Sequence, residues 1–183
     1  GGTIHTNGLD RTLANSVGSG IGGLTKAGGG NLTLNGTATY TGETVLSLGT
    51  ITVGANNALG NGGNLTLAGG TTLDIGSRSL THGLVTTSGA SPAILGTGTI
   101  SASTGFFLNH TGDTSIGAIL AGAGGLFKAQ TNIVTLSGAS TYTGTTEIQA
   151  GTLVITSIAN VGGGASSLGA PTTAENGIIR MGL

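Results

Sequence analysis

Along the chain, apolar and polar residues alternate in very short runs. They read Leu32-Thr-Leu34, Val45 to Leu48, Ile51-Thr-Val53, Leu65-Thr-Leu67 and Leu73-Asp-Ile75, then Ile94-Leu95, Thr99-Ile100, Phe106 to Leu108, Ile133 to Leu136, Glu147-Ile148 and Leu153 to Ile155. Alternation with a period of two puts every second side chain on one face, the pattern of a half-buried β-strand. Between the runs lie corners rich in Gly and Asn, such as Gly28-Gly29-Gly30, Asn35-Gly36, Asn61-Gly62-Gly63 and Gly162-Gly163-Gly164. These residues supply the positive φ that tight turns demand. Hairpin sandwiches and parallel solenoids share such a pattern.

An internal repeat decides between them. Gly20–Val53 recurs without a gap as Gly122–Ile155, at a constant offset, and nearly half of the paired positions are identical. A fixed offset is the mark of a solenoid, whose units bury their apolar faces only by stacking on one another. The expected fold is therefore all-β, a β-solenoid of three-strand rungs. At roughly 18–25 residues per rung the chain makes about eight, and at ~4.8 Å between rungs the stack is on the order of 40 Å long. The stretch Ala68–Gly117 departs from the repeat but keeps its composition, so it reads as further rungs. Residues 1–183 form a single segment with repeats at 20–60 and 122–169.

Composition supports this picture. Gly, Thr, Ser and Asn number 39, 32, 15 and 12 of 183 residues, and repeated Gly costs about 1 kcal/mol each in a helix interior. Mean hydropathy is positive, yet no apolar run approaches the roughly 18–20 residues of a spanning helix, so no direct membrane insertion is expected. Five basic and six acidic residues give a net charge of −1. Five scattered cations make no basic stripe for nucleic acid. The absence of cysteine excludes disulfides and Cys-based zinc sites, and suits a chain exported unfolded through an oxidising space. The start, Gly1-Gly2-Thr3-Ile4, has no signal-peptide pattern, and the sequence is expected to be a piece of a longer protein.

The order of motifs in the two copies resembles a known repeat. Copy one carries Gly22-Gly23-Leu24, Lys26, Thr33-Leu34, Gly36, Thr39-Tyr40-Thr41-Gly42, Thr44, Gly49-Thr50 and Ala58-Leu59-Gly60. Copy two carries Gly124-Gly125-Leu126, Lys128, Thr135-Leu136, Gly138, Thr141-Tyr142-Thr143-Gly144, Thr146, Gly151-Thr152-Leu153 and Ser167-Leu168-Gly169. This resembles the autotransporter-associated β-strand repeat, or passenger-associated transport repeat, of Gram-negative surface proteins. Ile51 stands where Leu is usual, and Thr156–Ser166 is a longer loop expected to bulge from the solenoid. The resemblance implies a right-handed parallel β-helix, type V secretion, display outside the outer membrane, and a β-barrel translocator in the same parent chain. It transfers no catalytic residue, and no cofactor or metal is implied.

Other chemistry finds little support in the residues. Gly18-Ser-Gly20-Ile-Gly22-Gly23 fits the dinucleotide fingerprint, which requires a following helix; the glycines after Leu24-Thr-Lys-Ala27 make it a solenoid corner instead. Asp74 partly matches a calcium repeat that does not recur, leaving it an outward charge. The acids Asp10, Glu43, Asp74, Asp113, Glu147 and Glu175 are scattered singly along the chain, so the paired carboxylates of a glycosidase could arise only across rungs. His5, His82 and His110 have no ligand spacing, and Ser115 lacks a nucleophile elbow. Asn31, Asn35, Asn64 and Asn109 start sequons that this composition produces by chance. Tyr40 and Tyr142 are expected to pack over corners, with their hydroxyls reaching backbone or water. Lys26 and Lys128 are expected to be solvated corner charges lying over Leu24 and Leu126. The expected function is a non-enzymatic structural stalk. Alternatives are an adhesin face for glycans or host surfaces, a polysaccharide-acting enzyme fragment, and ice binding through T-x-T ladders.

Overall fold

The computed structural model describes residues 1–182. Among them there is no α-helix, and the strands pair almost entirely in parallel. A ten-stranded sheet is built on Gly2–His5, Leu24–Ala27, Thr44–Leu46, Leu65–Leu67, Ser79–Gly89, Thr99–His110, Gly125–Lys128, Thr146–Ile148 and Ile179–Met181, in chain order, with Ile119–Ala121 beside Thr99–His110. An eight-stranded sheet takes Arg11–Leu13, Asn31–Leu34, Thr50–Val53, Thr72–Asp74, Ala93–Leu95, Thr114–Ile116, Ile133–Leu136 and Thr152–Ile155, also in chain order. The chain thus alternates between two sheets and advances one strand at each pass. It is a parallel β-solenoid of about eight turns.

Register fixes the turn length. Leu24, Thr44, Leu65, Val85, Phe106, Leu126 and Thr146 are aligned from strand to strand, one on each successive turn. Leu24 and Leu126 are five turns apart along this series, which is the physical meaning of the constant offset between the two repeat copies. Shorter pairings accompany these two runs: Ser19–Gly20 with Thr39–Tyr40, the Asn61–Thr81 bridge, and Thr99–Ser101 with Ile119–Ala121.

The core is a column of stacked aliphatic residues. Leu32, Ile51, Leu73 and Ile94 follow one another on the eight-stranded sheet, as Leu46 and Leu67 do on the other, and all are fully or almost fully buried. Burial alternates along each strand, so Leu24–Ala27 turns Leu24 and Lys26 inward and Thr25 and Ala27 toward solvent. Two strands run longer than the sequence pattern indicates, Ser79–Gly89 and Thr99–His110. Ser79–Gly89 pairs with Thr99–His110 along nearly its whole length, and Thr99–His110 pairs onward with both Ile119–Ala121 and Gly125–Lys128. Their mutual register shifts between His82 and Leu84. The expected bulging loop also exists. The path from Ile155 to Ile179 is about twice as long as the one from Val53 to Leu65, and exposes Ile158 and Val161.

Candidate functional site

The repeated motif residues gather into two kinds of contact, each present once per copy. The first centres on lysine. Lys26 and Lys128 lie on strands Leu24–Ala27 and Gly125–Lys128 and are wholly buried, 0% exposed. This corrects the expectation of solvated corner charges. Alternation places Lys26 on the same face as Leu24, and the core wins because its corners present carbonyls to the ammonium. Lys26 Nζ donates to the carbonyls of Gly28 at 2.6 Å, Leu48 at 2.9 Å and Ala27 at 3.3 Å. Lys128 Nζ donates to Gln130 O at 2.5 Å, Ala150 O at 3.0 Å and Asn132 Oδ1 at 3.0 Å.

Gly28 and Gln130 are matching positions, as are Leu48 and Ala150. Each lysine therefore ties its own corner to the corner of the next turn. Gly49 and Gly151 make room for this: both have positive φ, +80° and +75°, and a Cβ there would press on the lysine Nζ. Burial draws both lysine pKa values below the ordinary range, and for Lys128 the charge of Asp113 acts in the opposite sense. A buried ammonium ringed by carbonyl oxygens is a structural cation, with no group left free for chemistry.

The second contact centres on tyrosine. Tyr40 and Tyr142 are buried, and their hydroxyls meet Thr44 Oγ1 at 2.6 Å and Thr146 Oγ1 at 2.7 Å. Their partners are therefore side-chain hydroxyls four positions ahead, in place of the expected backbone or water. Burial pushes both phenols up to about 12, with the threonine bond opposing. Gly60 and Gly169 lie against the two rings, where a side chain would collide. Tyr142 also meets Phe106, ring centres 6.3 Å apart.

Thr41 and Thr143 are bonded through their amides to Gly20 O and Gly122 O of the preceding turn. Gly42 and Gly144 follow. Their φ is not positive; a Cβ on either would fall on the backbone of Gly22 and Gly23, or of Gly124 and Gly125. Close approach of successive turns, rather than turn conformation, is what excludes a side chain there.

The candidates for catalysis are dispersed. The dinucleotide-like segment Gly18–Gly23 runs into strand Leu24–Ala27, not a helix. Asp10 and Asp113 accept from the amides of Asn31 and Ile133, which are matching positions; Asp74 accepts from Gly76 N, and Glu43 from Thr66 Oγ1. His110 is buried, its Nδ1 2.7 Å from Thr87 Oγ1 and not directed at Asp113 or Ser115. Burial, aided by Lys128, lowers its pKa. His82 is buried too, with Nδ1 against Gly63 O, and is pulled down to about 4 by burial despite that bond. The Nε2 atoms of both histidines have no partner. Among the described residues no three or more His, Asp or Glu gather as metal ligands, and no helix is long and apolar enough to cross a membrane.

Comparison with known proteins agrees with the geometry. The family model of the passenger-associated-transport-repeat matches residues 24–53 and 126–155, the two copies that carry the lysine and tyrosine contacts. Over 181 residues, 98% of this chain, the sequence is 38% identical to the Adhesin BmaC autotransporter of Brucella suis biovar 1 (strain 1330). The chain spans 5% of that protein's length. No solved structure matches it. Two stretches of the chain thus match the passenger-associated transport repeat, and nearly its whole length is similar to a small part of an autotransporter adhesin.

Proposed function

We propose that this solenoid is a rigid, non-enzymatic stalk segment of an autotransporter passenger, a right-handed coil with three-sided turns that assists its own export. The observation that carries the reading is that turns are fastened to their neighbours by the same small set of contacts in both repeat copies. These are the lysine between two corners, the tyrosine against the following glycine, and the glycine that lets backbones close. The short pairings at Ser19–Gly20, Asn61 and Ile119–Ala121 support a third side, and parallel crossovers favour the right hand. In a stack held by nearest neighbours, turns that have emerged template those that follow. Folding outside the membrane then opposes backsliding through the parent's β-barrel translocator.

The test is surface display. Gly144→Val in the parent protein should slow the appearance of protease-accessible passenger on cells, whereas Glu43→Ala should not. Unchanged display kinetics from a passenger whose isolated solenoid is clearly destabilised by Gly144→Val would sink the export role.

A second reading, an adhesive face on the same stalk, is favoured by the adhesin name of the relative. Loss of host-cell attachment on removing this segment, with display intact, is the observation that supports it.

A further inference from the structure

The outer face of the ten-stranded sheet carries an aligned row of side chains, one per turn: Thr3, Thr25, Val45, Thr66, Thr86, Phe107, Phe127 and Glu147. Phe107 and Phe127 are the two aromatics of this row. Both are half-buried and stacked, ring centres 5.0 Å apart and 29° from parallel. Beside them runs a trench of about 410 Å³ whose floor is Gly105 and Gly125, with Leu84, Thr104, Thr145 and Glu147 along its walls. The trench starts where the register between the two long strands shifts, and that shift sets exposed Thr104 at its lip. Such irregularities re-aim side chains beside functional sites.

The first repeat copy is an internal control. Phe127 corresponds to Thr25, Glu147 to Val45, and the neighbour Phe107 to Thr3. The matching groove there is lined by Thr3, Thr25, Val45 and Glu43 and contains no aromatic ring. The same backbone therefore folds with threonine in these places, so folding alone does not call for the phenylalanines.

We infer that the Phe107–Phe127 shelf and its glycine trench form a binding site for a neutral hexopyranose unit of a surface glycan. This rests on the adhesive reading above and gives it a location. A pyranose has a C–H face that lies flat on an aromatic ring, and an edge of hydroxyls that needs acceptors and donors. The site supplies both, in the ring surface of Phe127 with Phe107, and in the Glu147 carboxylate with the Thr104 and Thr145 hydroxyls. An apolar peptide partner would leave Glu147 desolvated and unpaired. Anionic sugars are disfavoured because the one charged group lining the trench is the Glu147 carboxylate.

The experiment is saturation-transfer NMR on the whole chain with cellotetraose, chitotetraose and a β-galactotetraose, alongside sialyllactose and an apolar dansyl peptide. The variants are Phe127→Thr and Glu147→Val, each installing the residue of the first copy. At least one neutral tetrasaccharide should bind, with saturation strongest on its C–H face. Phe127→Thr should weaken it about tenfold and Glu147→Val measurably, with circular dichroism unchanged. Binding by none of the neutral sugars, equal binding by Phe127→Thr, or variant-sensitive binding of the dansyl peptide alone would overturn the site. Host-cell attachment by the parent protein that survives Phe127→Thr also overturns it, while leaving the adhesive reading intact with its contact elsewhere.

Discussion

Lys26 and Lys128 take a full charge into the column because three oxygens replace most of the water each ammonium loses. Removing that charge leaves corner carbonyls of two turns without their donor. Lys26→Met keeps the length of the side chain, and should cost on the order of 2–4 kcal/mol. Glu43→Ala, on the exposed surface, should stay within about 0.5 kcal/mol. Urea melts decide it, and a Lys26→Met variant as stable as wild type would mean that the staple is decorative.

His82 gives a second residue-scale expectation. Its folded pKa, about 4, lies below the ordinary 6.5, because burial disfavours the imidazolium. The unfolded chain therefore binds more protons between those values. The stabilisation is complete above about pH 6.5 and is lost as pH falls toward 4, by about 3 kcal/mol at most. His82→Gln should flatten the stability profile between pH 7 and 4; an unchanged slope would assign it to His110 instead, whose pKa burial also lowers.

At the scale of the strand, sequence alternation sufficed for much of the architecture. Leu32-Thr-Leu34, Ile51-Thr-Val53 and Leu65-Thr-Leu67 are strands with their aliphatic residues buried. What alternation hid was the element containing Lys26. Leu24-Thr-Lys-Ala27 alternates, but a lysine in an inward place contradicts the usual exposure of charge. Only the corner carbonyls, brought in by the next turn, resolve the conflict. The long strands at 79–89 and 99–110 were illegible for a related reason: each has a single internal glycine, Gly83 or Gly105, and no Gly- or Asn-rich corner to set its bounds.

The glycines after the tyrosines belong to this scale as well. Gly144→Val would drive a branched side chain into the backbone of Gly124 and Gly125, and should cost about 1–3 kcal/mol as overpacking. Gly62→Val meets open space but has a φ of +85°, so its penalty is backbone strain instead. Comparable losses from both in urea melts, with strand pairing loosened by hydrogen exchange around residues 124–125 only in Gly144→Val, would separate the two mechanisms.

Over the whole molecule, the repeat offset carried more information than any single motif, yet its subdivision into five turns was visible only once the strands were paired. The aromatic shelf shows what that gap hid. Phe107, Phe127 and Glu147 stand one turn apart in succession, so the turn length aligns them on one face; without it they are three isolated residues. The same periodicity makes a prediction about the stack. Val85 occupies the place of Leu65 one turn on, so deleting Leu65–Leu84 removes one complete turn and brings Val85 beside Thr44 with every inward residue still inward. Deleting Leu65–Ile75 removes about half a turn, sending the chain that should enter one sheet into the other. If stability is a sum over turns and their interfaces, the first deletion should keep the β-type circular dichroism and a single urea transition, with m lowered by about one-eighth, since m follows the surface exposed on unfolding. The second should lose the transition. Equal tolerance of both deletions would mean that turn-to-turn register does not hold this molecule together.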